Sequence, residues 1–151
     1  MNKEVMKNKG YTLIELIAVM AIIAILLTSY GIGIKWYKSC LNRIDTSYTQ
    51  DSILIFITNS KHYCREKGSR GYISFDIVDN EMIFFCDGKC RDKFQLPSEL
   101  SLYGTNLMDN KIHIDNTGFT SDACTIKFKD REGKLHNITL CVGTAYVEIK
   151  D

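Results

Sequence analysis

From Tyr11 to Ile34 the chain runs for 24 residues with a single charge, Glu15. As a helix this stretch is about 36 Å long, enough to cross a hydrocarbon core of about 30 Å with some tilt. Lys3, Lys7 and Lys9 precede it, and positive charge before a span favours a cytoplasmic N-terminus. The reading is therefore a leader over residues 1–10, an apolar anchor over 11–34, and an extracytoplasmic domain over 35–151.

Two simpler membrane readings fit less well. A cleavable secretory signal has a shorter apolar region ending in small residues, whereas this run continues through LLTSYGIGIKW. A plain anchor has no use for Glu15, because a carboxylate near the centre of lipid costs on the order of 2.5–3.5 kcal/mol. A cut between Gly10 and Tyr11 changes that balance. The new α-amino group of Tyr11 stands one helical turn from Glu15, and among packed helices one subunit's carboxylate can meet its neighbour's ammonium. Pairing removes most of the desolvation penalty and fixes axial register, since an unpaired buried charge is far worse than a paired one.

Beyond the anchor, Tyr37, Leu41, Ile44, Tyr48 and Ile55 recur at helical steps with no breaker before Gly68. The pattern predicts one helix from about Tyr11 to Lys67, half anchor and half core, with SILIFI (52–57) broad enough to be covered by a sheet. After Gly71 the period falls to two in GYISFDIV, EMIFFC, KIHID, CTIKFK, HNITLCV and AYVEI, with turn residues between them. The expected fold class is α+β: a long N-terminal helix packed against an antiparallel β-sheet. Pairing the apolar faces of the last two segments before AYVEI sets Ile126 opposite Ile138 and Cys124 opposite Leu140, so Cys141 points away from Cys124.

Net charge does not suggest a nucleic-acid partner: without residues 1–34 the chain has 16 basic and 16 acidic residues. Six cysteines fit an oxidising compartment better than the cytosol. Cys86 and Cys90 flank a possible three-residue hairpin and form a candidate disulfide. Cys40 and Cys64, 24 positions apart on one helix, are too distant to pair within a subunit. Paired CxxC spacings and His/Cys ligand spacings are missing, so no metal or other cofactor is expected. His62, His113 and His136 are scattered and read as surface or capping residues. With no nucleophile motif and no phosphate loop, an enzyme is not expected.

The segment Lys9-Gly10-Tyr11-Thr12-Leu13-Ile14-Glu15-Leu16, followed by an aliphatic run, resembles the class III signal sequence of type IV prepilins and type II secretion pseudopilins, with Tyr11 where the family usually has Phe. The resemblance implies cleavage by prepilin peptidase between Gly10 and Tyr11, N-methylation of Tyr11, and assembly with other pilins through the helix, with Glu15 setting register. Family helices commonly carry a proline partway along. Here Gly31-Ile32-Gly33 stands in that region, either softening the helix or allowing close packing. Residues 57–68 and 112–149 are similar to the H-type (GspH/FimT-like) minor pseudopilins, which implies a minor subunit near a fibre tip. Related subunits of DNA-uptake fibres hold DNA with basic residues, which makes Lys127, Lys129, Arg131 and Lys134 weak candidates for DNA contact. Asp130 and Glu132 interleave with them and favour an ordinary solvated turn.

Overall fold

The computed structural model describes residues 12–121, 123–141 and 147–150. A single helix, α1 (Leu13–Lys67), is followed by eight strands: β1 (Gly71–Asp76), β2 (Glu81–Cys86), β3 (Lys89–Gln95), β4 (Ser101–Thr105), β5 (Lys111–Ile114), β6 (Cys124–Lys129), β7 (Leu135–Leu140) and β8 (Val147–Lys150). The chain divides into two compact units, Met1–Cys40 and Leu41–Asp151.

In the first unit every described residue from Thr12 to Ser39, outside positions 29–32, is exposed. Leucine and isoleucine side chains point outward all round from Leu13 to Leu27. Water does not tolerate such a surface, and the helix is long and apolar enough to cross a membrane.

In the second unit the buried face of α1 runs through Asn42, Thr46, Thr49 and Gln50, then Ile53, Phe56, Ile57, Ser60 and Cys64. These steps of three and four make one stripe, polar in its first half and apolar in its second. The sequence pattern had pointed to another face. Ile44, Tyr48 and Ile55 are exposed, because the domain covers the polar stripe instead. Gly68 ends the helix in the left-handed region (φ 60°). Its N–H donates to the Arg65 carbonyl (3.3 Å) and that of Ser69 to the Cys64 carbonyl (3.1 Å), a Schellman cap.

Two antiparallel sheets follow, where the sequence suggested one. Their strand orders are β3-β2-β1-β5 and β4-β6-β7-β8. β1, β2, β6 and β7 each bury alternate residues, and Ile73, Phe84, Met82, Ile112, Ile126, Phe128, Ile138 and Leu140 meet the apolar half of α1 in one core. Asn80 links the sheets: its amide donates to the Leu100 carbonyl (2.8 Å) and its oxygen accepts from Leu102 N–H (2.7 Å). β3 is an almost wholly exposed strand at the end of its sheet, carrying Lys89, Arg91, Asp92 and Lys93, and charge at an edge discourages pairing with another chain. Ile126 does face Ile138, and Cys124 faces Leu140.

Gly71 begins β1 directly under the end of α1. A Cβ there would lie 2.7 Å from the Phe85 carbonyl oxygen, 2.8 Å from the Cys64 sulfur and 2.9 Å from the Phe84 ring. Gly71→Ala is therefore expected to destabilise the fold by about 1–3 kcal/mol, the usual cost of overpacking, read as a lower urea midpoint of the full chain in detergent. An unchanged midpoint would show that the helix end shifts freely.

Candidate functional site

The N-terminal segment is built around a local cap. Thr12 Oγ1 accepts from the Glu15 N–H (3.4 Å), while the Glu15 carboxylate accepts from the Thr12 N–H (2.8 Å) and the Thr12 hydroxyl (2.9 Å). This reciprocal T-x-x-E arrangement is a capping box, which satisfies two of the donors a helix start leaves open. Thr12 was not singled out in the sequence reading, although the Thr-x-x-Glu spacing before an apolar run is its signature. Glu15 thus has a helix-starting partner within its own chain, and its carboxylate retains oxygen lone pairs for a cation. Gly10 and Tyr11, the expected cleavage and methylation positions, lie outside the described residues. An added Cβ at Gly33 would meet nothing within 4 Å in the chain by itself, so that glycine leaves room for a neighbouring helix.

The four basic candidates gather around the β6–β7 turn but are partly engaged. The Arg131 guanidinium lies 2.6 Å from the Asp45 carboxylate and 3.7 Å from that of Glu99. Lys129 Nζ sits 4.5 Å from the centre of the Tyr103 ring. Lys127 is half-buried and Lys134 exposed.

That turn is not simply solvated, as its sequence suggested. Asp130 is buried; one carboxylate oxygen accepts from the Glu132 and Lys134 N–H groups (both 2.9 Å), and the other from Asn42 Nδ2 (2.9 Å) and lies 3.0 Å from His136 Nε2. Asn42 in turn accepts from the Arg131 N–H (3.1 Å). This knot fixes the hairpin to α1, and it places His136 in the interior where a surface role was expected. Burial pushes the Asp130 carboxyl upward, but the hydrogen bonds from His136, Asn42 and the two backbone amides outweigh it and hold the pKa at about 2. A carboxyl depressed on folding contributes stability above its unfolded value, here 3.8, and loses it as pH falls through the folded one. Acid titration is expected to remove on the order of 2 kcal/mol between about pH 4 and pH 2, and Asp130→Asn to flatten that segment of the stability curve.

The cysteines are placed differently from the expectation. Asp87 and Gly88 both have positive φ (52° and 71°), so β2 and β3 join through a two-residue turn, not a three-residue one. Cys86 then pairs with Lys89, and Cys90 with Phe85, which puts the two sulfurs on opposite faces: Cys86 is buried and Cys90 exposed. His113 is exposed, 3.4 Å from Asp109, and the His62 ring accepts from Arg65 at 2.7 Å. Among the described residues no group of His, Cys, Asp and Glu is placed to hold a metal ion. A hollow of about 90 Å³ between residues 58–65 and 117–119 is lined by Lys61, His62 and Arg65 with no carboxylate or thiol.

Comparison with known proteins agrees with both halves of the chain. A family profile described as the prokaryotic N-terminal methylation motif matches residues 5–30. The minor pseudopilin EpsH from the Type 2 Secretion System of Vibrio cholerae is similar in structure, with a TM-score of 0.55 at 10% identity over 69% of this chain and 94% of that one. No curated protein matches the chain in sequence. A methylation motif thus runs directly into α1, and the fold around the rest of that helix is similar to that of a minor pseudopilin.

Proposed function

We propose that the chain is a minor pilin or pseudopilin, cut after Gly10 by prepilin peptidase, N-methylated on Tyr11, and assembled through α1 into a type IV pilus or a type II secretion or competence pseudopilus. The observation that carries this reading is the continuity of the methylation motif (residues 5–30) with a helix whose apolar surface is exposed from Leu13 to Leu27. A surface of that kind is stable only in lipid or against other helices. Before assembly the helix spans the cytoplasmic membrane with its N-terminus in the cytoplasm, and the β-rich domain is extracytoplasmic. Exposed Ile44, Tyr48 and Ile55 supply further apolar contact for neighbouring subunits. A DNA-receptor role is not favoured, because Arg131 is held by Asp45 and Glu99. The proposed role is structural.

The test is the intact mass and N-terminal sequence of the protein from membranes of cells with and without the peptidase. A chain beginning at methylated Tyr11 only when the peptidase is present is the expected result. A chain beginning at Met1 in both would reduce the protein to a plain anchored domain.

A further inference from the structure

Cys64 lies in the last turn of α1, where its carbonyl receives the Ser69 N–H of the helix cap. Gly71 follows at once and pairs directly with Cys86 across the β1–β2 ladder. Residues opposite one another in an antiparallel pair project from the same face, with Cβ positions about 4.5–5.5 Å apart. The Cys64 sulfur fills the space a side chain at position 71 would occupy, only 2.8 Å from where that Cβ would lie. Cys64 therefore stands beside Cys86, near enough for each thiol to affect the other's ionisation. Both are buried, at 0% and 1% exposure. Cys90 and Cys141, by contrast, are exposed.

We propose that Cys64 and Cys86 form a disulfide that locks the end of α1 to strand β2 in the exported domain. The proposal rests on the extracytoplasmic placement of that domain, where thiols meet oxidants. Gly71 is what makes the approach possible, since any side chain there would fill the gap between helix end and strand. Bond formation breaks two S–H bonds and makes one S–S bond; the two electrons and two protons pass to the disulfide of a thiol oxidoreductase or of oxidised glutathione, which leaves as two thiols. Burial pushes the Cys64 thiol up to about 12 and raises Cys86 also, so thiolate is scarce in the closed domain. Oxidation accordingly accompanies folding, before the sheet closes over the helix, and the finished bond is shielded from exchange.

The full chain is isolated from membranes, its free thiols are alkylated with iodoacetamide in denaturant, and it is digested without reduction. In parallel, purified full-length protein is unfolded, reduced and refolded in detergent with a mixture of reduced and oxidised glutathione. The expected result in both is a peptide containing Cys64 linked to one containing Cys86, released by reductant, with Cys90 and Cys141 alkylated. Absence of the link from both preparations, or a Cys86–Cys90 link in its place, overturns the proposal. A link in the refolded protein with none in the cellular protein supports the pairing and overturns the extracytoplasmic placement.

Discussion

Asp130→Ala is expected to lower the stability of the folded chain by about 2–6 kcal/mol, the cost of leaving two buried polar groups without their acceptor. The carboxylate joins Asn42 of α1, His136 of β7 and the backbone of the β6–β7 turn in one set of hydrogen bonds. Alanine leaves the Asn42 amide and the His136 ring without that acceptor, each buried, at about 1–3 kcal/mol per group. The turn amides of Glu132 and Lys134 lose their acceptor as well. Asp130→Asn keeps an acceptor for the turn but places an N–H₂ where donors already converge, so an intermediate loss follows. Urea unfolding of the full chain in detergent reads both variants. A loss below about 1 kcal/mol for alanine would mean that water takes the place of the carboxylate and that the hairpin does not depend on it.

Glu15→Gln is expected to reduce incorporation into fibres at least about tenfold while leaving the protein inserted and cleaved. The capping box is what makes this substitution informative. Glutamine serves that box as glutamate does, so the helix start between Thr12 and residue 15 is preserved and only the charge is lost. Without the charge, the α-ammonium of Tyr11 enters an apolar bundle unpaired, at a cost of several kcal/mol, far beyond the 1.4 kcal/mol of a tenfold change. Glu15→Leu removes cap and charge together. If register depends on the ion pair, both variants fail alike in the sheared-fibre fraction. Normal assembly of the Gln variant with failure of Leu would assign Glu15 to helix capping alone.

Much of this architecture is legible in the residues because their periods are strong. The apolar run marked the first half of α1, and six alternating segments became β1, β2, β5, β6, β7 and β8. The β6–β7 register followed from the pattern because a slip of one residue would turn every apolar side chain of a strand to the wrong face. Strands without that pattern were missed. β3 reads KCRDKFQ and is exposed on nearly all positions; β4 has five residues and an irregularity between Leu102 and Gly104.

The amino-acid sequence by itself determined the helix, its exposed apolar segment and most strands, since each depends on neighbours within a few residues. Tertiary structure alone decided which face of the outer helix is buried. There the exposed stripe of Ile44, Tyr48 and Ile55 is more apolar than the covered one of Asn42, Thr46, Thr49 and Gln50, so hydrophobicity pointed the wrong way. It also decided the division into two sheets, the meeting of Asn42 with Asp130 across 88 positions, and the approach of Cys64 to Cys86 through the gap at Gly71. These depend on which distant surfaces come into contact, and no local period encodes a partner so far along the chain.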